Sequence, residues 1–251
     1  MALYKSKNPA LSTEVFTKAK RVDESSEVMT INGTVNKAAL LGLMVLTSSL
    51  ITWNLYQETQ DFLLIKPYVI GGSIAAFIVA LVIIFNNTTA PYLSPIYCGL
   101  KGLALGGLSA FMEAKFPGIV LQSVILTFGI LFSLLTIYRL GIIKATENFK
   151  LIVASATAGI AIYYIASLAG GFFGFELPYI HDNSTGGIIF SLFVVVIASL
   201  NLVVDFDFIE KGAESKSPKY MEWYAAFGLM ITIIWLYLEI LRLLAKSRSK
   251  K

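Results

Sequence analysis

The chain is poor in the side chains on which most enzymes depend. It has one cysteine, Cys98, and one histidine, His181, in 251 residues. A lone cysteine excludes an intramolecular disulfide and any multi-cysteine metal site. A lone histidine, here in the polar 171–185 stretch, excludes a multi-histidine metal centre and an intramembrane serine–histidine protease. No Gly-x-Ser-x-Gly elbow, Walker A loop or dinucleotide glycine fingerprint is present. Charged residues make up 14% of the chain, against about 25% in an ordinary soluble domain. The formal charge of +4 comes without a basic, aromatic-interleaved patch, so nucleic acid is not an expected partner. We expect neither catalysis nor a cofactor.

What fills the space is apolar: 56% of the residues, gathered in blocks. A hydrocarbon core of about 30 Å needs roughly 20 apolar residues per helical crossing. Seven blocks meet that length, near 36–56, 66–85, 92–114, 118–138, 149–170, 186–207 and 220–245. Unpaired backbone groups in lipid cost several kcal/mol each, which leaves helices or a closed barrel. Barrel strands alternate in short segments, whereas Ile188 to Val196 is continuously apolar. The expected fold is all-α, a polytopic membrane protein built as a seven-transmembrane-helix bundle, with the lipid bilayer as its solvent.

The organisation follows. Residues 1–35 form a polar N-terminal arm with no apolar signal-peptide core, 36–245 the transmembrane domain, and 246–251 a basic C-terminal tail. The arm reads as solvated chain on the membrane surface, with partner binding as its alternative. Lys and Arg prefer cytoplasmic loops. With the N-terminus inside, Lys5, Lys7, Lys18, Lys20, Arg21, Lys37, Arg139, Lys144, Lys150, Lys211, Lys216 and Lys219 are cytoplasmic. Lys66, Lys115, Arg242, Lys246, Arg248, Lys250 and Lys251 are then outside, and twelve against seven favours a cytoplasmic N-terminus. The C-terminal basic cluster pulls the other way.

An ionisable group at mid-membrane costs at least about 2.5–3.5 kcal/mol, so each one needs a reason. Asp205 lies near the end of the sixth span, one turn after Asn201, and the two form a polar stripe on one face. Asp207 points about 200° away from Asp205 and reads as a solvated helix end near Glu210, though it stays with Asp205, Glu222, Lys101 and Asn201 among the candidate proton-sensing or ion-pathway residues. Glu222 opens the seventh span. It is either an interfacial glutamate anchored by Trp223 and Tyr224 or, with Asp205, a carboxylate cluster able to exchange protons or to offer oxygens to calcium. Lys101 is deep in the third span beside Gly102 and Gly106, whose spacing lets another helix approach closely. It either snorkels or pairs with an acid, Asp205 being the candidate. Glu113 and Lys115 read as interfacial, and Glu239 is spaced to pair with Arg242 within one helix.

Several runs, in order, carry a likeness: Asn8-Pro9, Met29-Thr30-Ile31-Asn32-Gly33-Thr34, Gly102-Leu103-Ala104-Leu105-Gly106, Phe116-Pro117-Gly118-Ile119-Val120-Leu121-Gln122, Asp205-Phe206-Asp207-Phe208-Ile209-Glu210 and Met221-Glu222-Trp223-Tyr224-Ala225-Ala226-Phe227-Gly228. Together they resemble a prokaryotic branch of the Bax inhibitor (YccA-like) family. The resemblance implies seven helices with one central, a bacterial inner membrane, and a pH-sensitive calcium leak. It also implies a proton sensor of two aspartates on the last two helices, one latched to a basic residue when closed. Asp205 matches the sixth-helix aspartate. Thr232 stands where the second is expected, Asn86-Asn87 where the latching arginine is, and Lys101 where a carboxylate is. Asp205 with Glu222, or Asp205 with Lys101, would substitute for that pair. The rival expectation is a membrane-embedded partner that modulates a membrane protease or another membrane protein, a role also linked to relatives.

Overall fold

The structure is a computed structural model and describes residues 28–174, 178 and 182–249. Most of the N-terminal arm, His181 and the last two lysines fall outside the described residues. Among those described there are seven α-helices: α1 (Ile31–Thr59), α2 (Phe62–Phe85), α3 (Ala90–Lys115), α4 (Ile119–Arg139), α5 (Glu147–Phe173), α6 (Thr185–Glu214) and α7 (Met221–Ser249). Six of them, all but α3, are long and apolar enough to cross a membrane. The chain is an all-α polytopic membrane protein.

Local chemistry sets the helix ends and moves several beyond the apolar blocks. Thr30 is extended, and its hydroxyl accepts from the Gly33 N–H at 3.0 Å, so α1 starts at Ile31, well before the apolar block at 36. Asp61 caps α2 through the Leu63 N–H at 2.8 Å, and Thr146 caps α5 through the Phe149 N–H at 3.3 Å. Glu113, expected at the interface, reaches across the α3–α4 turn and accepts from the backbone N–H groups of Gly118 and Val120. The sixth helix continues to Glu214 rather than stopping near 207, and the seventh to Ser249 rather than 245. Lys246, expected in a basic tail, is therefore helical, and it is 4% exposed.

The described chain forms two compact units. Among the described residues, one contains 28–120 and Asp207–Ile231. Here α3 packs along both α1 and α2. Glycines make the first contact close: a Cβ on Gly102 would lie 2.4 Å from the Val45 carbonyl oxygen, and one on Gly106 2.0 Å from that of Ser49. Thr52 adds an interhelical hydrogen bond from its hydroxyl to the Leu103 carbonyl at 2.7 Å. Gly72 and Gly107 make the α2–α3 contact close, a Cβ on Gly72 falling 3.0 Å from the Leu100 carbonyl oxygen and one on Gly107 2.9 Å from the Val69 side chain. Tyr56, Ile65 and Ala110 close this core, with the Phe62 and Phe111 rings tilted at 50° and their centres 4.7 Å apart. Because small residues bury α3 against its neighbours, it can carry Lys101, Glu113 and the internal Pro95 and fall short of the apolarity of the other six.

The other unit contains Leu121–Phe206 and Thr232–Lys251. Its core is Ile160 of α5 against Val194 and Ile197 of α6, flanked by Tyr164, Phe190 and Trp235. The apolar stretches of α6 and α7 are buried over 56% and 44% of their residues, against 11–22% for α1, α2, α4 and α5. The latter four carry the large exposed apolar side chains, such as Leu43, Ile74, Phe132 and Ile165, that a lipid-facing surface requires.

Candidate functional site

The polar stripe on α6 is buried and begins at Asn201. Its side-chain amide donates to the Thr157 hydroxyl on α5 at 2.8 Å and to the Ile197 carbonyl at 2.9 Å. One turn on, Asp205 is 5% exposed. The Thr232 hydroxyl of α7 hydrogen bonds to its carboxylate, while Asp205 Oδ2 is buried with no hydrogen-bond partner among the described residues. Thr232 is the residue that stands where the resemblance places a second aspartate, and it does meet the first. A buried carboxylate left one contact short is costly, by about 1–3 kcal/mol even for a neutral polar group. A proton on Oδ2, or a hard cation beside it, would relieve that cost.

The remaining candidates are placed differently from one another. Asp207 is not a solvated end: α6 runs two further turns, the residue is 8% exposed, and Lys211 pairs with it at 3.0 Å. Lys101 is half-buried on α3, in the other unit from Asp205. Glu222 takes its partners from α1 and from the turn before α7. It is fully buried, its Oε1 accepts from the Thr30 N–H and hydroxyl at 2.9 Å each, and Lys37 donates to its Oε2. Lys219 lies 3.5 Å from Oε1. Oxygens already occupied by cationic and N–H donors are poorly placed as calcium ligands, so Asp205 alone carries that chemistry forward. Among the described residues no three of His, Cys, Asp or Glu group as a metal site.

A second polar centre lies in the same unit as Asp205. Glu239, 1% exposed, meets Arg242 at 2.9 Å, the in-helix pair that its spacing suggests. Tyr164 of α5 donates to Glu239 at 3.0 Å and accepts from Arg242 at 2.7 Å, and the Trp235 indole donates at 3.2 Å. The Arg242 guanidinium also lies 5.1 Å from the Tyr164 ring centre. Lys246, one turn beyond Arg242, donates to the Gly187 carbonyl at 3.1 Å and the Ser191 hydroxyl at 2.9 Å on α6. Sequence reasoning missed Tyr164, Trp235 and Lys246. The i, i+4 spacing of Trp235 and Glu239 was the one local signal available.

Outside the helices, Asp182 accepts from both the hydroxyl and the N–H of Ser184, and these hydrogen bonds hold its carboxyl below the usual carboxylate range.

No curated protein and no solved structure matches the chain. The family described as Bax inhibitor 1 like does match, over residues 8–249. That span takes in all seven helices, the buried stripe of Asn201 and Asp205, and the Glu239–Arg242 centre, so the chain belongs to the Bax inhibitor 1 like family.

Proposed function

We propose that the protein is a non-catalytic cation leak of its membrane, most suited to calcium, with a proton-linked gate at Asp205. The observation that supports this reading is the buried Asp205 carboxylate. One end is held by Thr232 and the other, Oδ2, has no hydrogen-bond partner among the described residues. Helix α6 delivers the group in a largely apolar helix, one turn after Asn201, where an unsatisfied carboxylate is retained only for a use. Protonation gives Oδ2 a hydrogen and removes the charge, while deprotonation restores an oxygen ligand suited to a hard cation. Either change alters the local charge on the helix that carries it, a small event able to bias a helix pair between two arrangements. The orientation with a cytoplasmic N-terminus belongs to the same proposal and rests on the charge count, and the placement in a bacterial inner membrane rests on the family resemblance.

The test is calcium flux into liposomes holding the purified protein, measured on both sides of neutral pH beside Asp205→Asn. Flux that varies with pH in the parent and loses that variation in the variant supports the gate. Absence of flux above empty liposomes at every pH refutes the leak and favours the second reading, a membrane-embedded modulator of a membrane protease or another membrane protein. The polar residues 1–27 favour that alternative, since a leak pathway does not need them. Removing them should abolish partner binding in a modulator and leave flux intact in a leak.

A further inference from the structure

The chain leading into α1 is fastened at three successive residues to the turn between α6 and α7. Val28 forms an isolated antiparallel bridge with Pro218, and the Met29 N–H donates to the Ser217 carbonyl at 2.7 Å. Thr30 then gives both of its donors to Glu222 Oε1. The Thr30 hydroxyl serves twice, since it also accepts from the Gly33 N–H as the cap of α1. Lys37, one turn further along α1, donates to Oε2 and lies 5.5 Å from the centre of the Trp223 ring. Lys219 supports Oε1 from the turn itself. Met29 and Glu222 are 1% and 0% exposed.

The chemistry of this contact selects a charged carboxylate. Four donors converge on two oxygens: a backbone N–H, a hydroxyl and two ammonium groups. A carboxylate accepts from all of them, whereas an amide of the same shape would turn its own N–H bonds toward one of them. The first turns of α1 and α7 both begin at this carboxylate, and each helix start favours negative charge. The fit is also steric. A Cβ on Gly33 would lie 2.1 Å from Glu222 Oε1, so the first turn of α1 has to be bare there for the carboxylate to enter.

We infer that Glu222 is a latch: it fastens residues 28–30 onto the α6–α7 turn, and its charge, rather than its bulk, keeps the fastening closed. Opening it frees the chain ahead of α1 from the turn while the helices persist. The latch gives any force or partner acting on the N-terminal arm a direct route to the point from which α7 starts. It is separate from the gate proposed at Asp205 and holds whether or not the protein conducts.

Chemical crosslinking tests it without reference to flux. In a Cys98→Ser background, Val28→Cys and Pro218→Cys are joined by a short bis-thiosulfonate reagent in membranes. The parent pair should crosslink efficiently. Glu222→Gln should reduce the yield several-fold, Lys37→Met and Thr30→Val should each reduce it by less, and Asp205→Asn should leave it unchanged. Circular dichroism and gel filtration of each variant report whether the helices persist. Should Glu222→Gln not fold, the milder Thr30→Val and Lys37→Met decide the matter. Undiminished crosslinking in these variants, or its loss only together with helical structure, overturns the latch.

Discussion

Replacing Gly106 with alanine tests whether the α1–α3 contact depends on bare backbone. The added Cβ would lie 2.0 Å from the Ser49 carbonyl oxygen, 2.5 Å from Thr52 Oγ1 and 2.7 Å from the Ser49 carbonyl carbon. Two of those three atoms are backbone and cannot rotate aside. Ordinary contact begins near 3.4 Å, so the helices must part by 3.4 less 2.0, or about 1.4 Å, at this crossing. Overpacking of this kind costs about 1–3 kcal/mol. The separation also stretches the Thr52–Leu103 hydrogen bond of 2.7 Å, and an interhelical bond in a membrane protein contributes about 0.6 kcal/mol. The expected destabilisation is therefore about 2–4 kcal/mol. Gly71 on α2 is the control, because a Cβ there meets nothing within 4 Å, and its replacement should stay within about 0.5 kcal/mol of the parent. Cys98 supplies the assay, since it is the one thiol, sits on α3 and is 0% exposed. A fluorogenic thiol reagent added during heating in detergent should react at a lower temperature in Gly106→Ala than in the parent, and at the parent's temperature in Gly71→Ala. Coincident transitions in the two variants would refute the close-packing argument.

Two further outcomes follow from the polar centres. Arg242→Met leaves the Glu239 carboxylate buried with Tyr164 and Trp235 as its hydrogen-bond donors among the described residues, and stranding a buried charge typically costs about 3–5 kcal/mol; the value here should fall toward the lower end because the Arg242 side chain is 38% exposed. Adding Glu239→Gln should recover most of that loss in a double-mutant cycle of detergent melting, and strictly additive effects would exclude the coupling. At the start of α6, the Asp182 carboxyl is held below its ordinary range by Ser184, so its contribution is present above that range and is lost as pH falls through the lowered value. Amide exchange protection in the first turn of α6 should accordingly drop on acidification in the parent and be low throughout in Asp182→Ala; equal protection in both at neutral pH would exclude this contribution of Asp182.

The parts of this protein that were readable from sequence are those governed by local rules. Apolar blocks of about 20 residues announce helices because lipid leaves the backbone no other partner. Glu239 and Arg242 announced their pairing because three residues on a helix bring two side chains together. The helix ends were less legible. Polar residues such as Asp207, Lys211 and Lys246 look like solvent-exposed chain, yet each continues a helix and finds a partner one turn away or on a neighbouring helix.

Glu222 shows where local reading fails altogether. Its spacing to Trp223 and Tyr224 suggested a membrane-interface anchor, and its sign suggested company for Asp205. What decides its role is Thr30 and Lys37, 192 and 185 residues away, and no periodicity spans that distance. Two local signals did exist and had to be read jointly: a threonine set to cap α1, and a glycine in the first helical turn where alanine would propagate the helix better. A glycine that weakens a helix start needs something close enough to exclude a methyl group, and the Glu222 carboxylate at 2.1 Å from the missing Cβ is that group. Gly102 and Gly106 follow the same logic with backbone oxygens as the close neighbours. In this chain Gly33, Gly102 and Gly106 mark where distant segments touch, and the charges report function only once those contacts are known. Asp205 stands apart from the other buried carboxylates for that reason: Glu222 has Lys37 and Lys219, Glu239 has Arg242, Asp207 has Lys211, while the hydrogen-bond partner of Asp205 is a threonine hydroxyl.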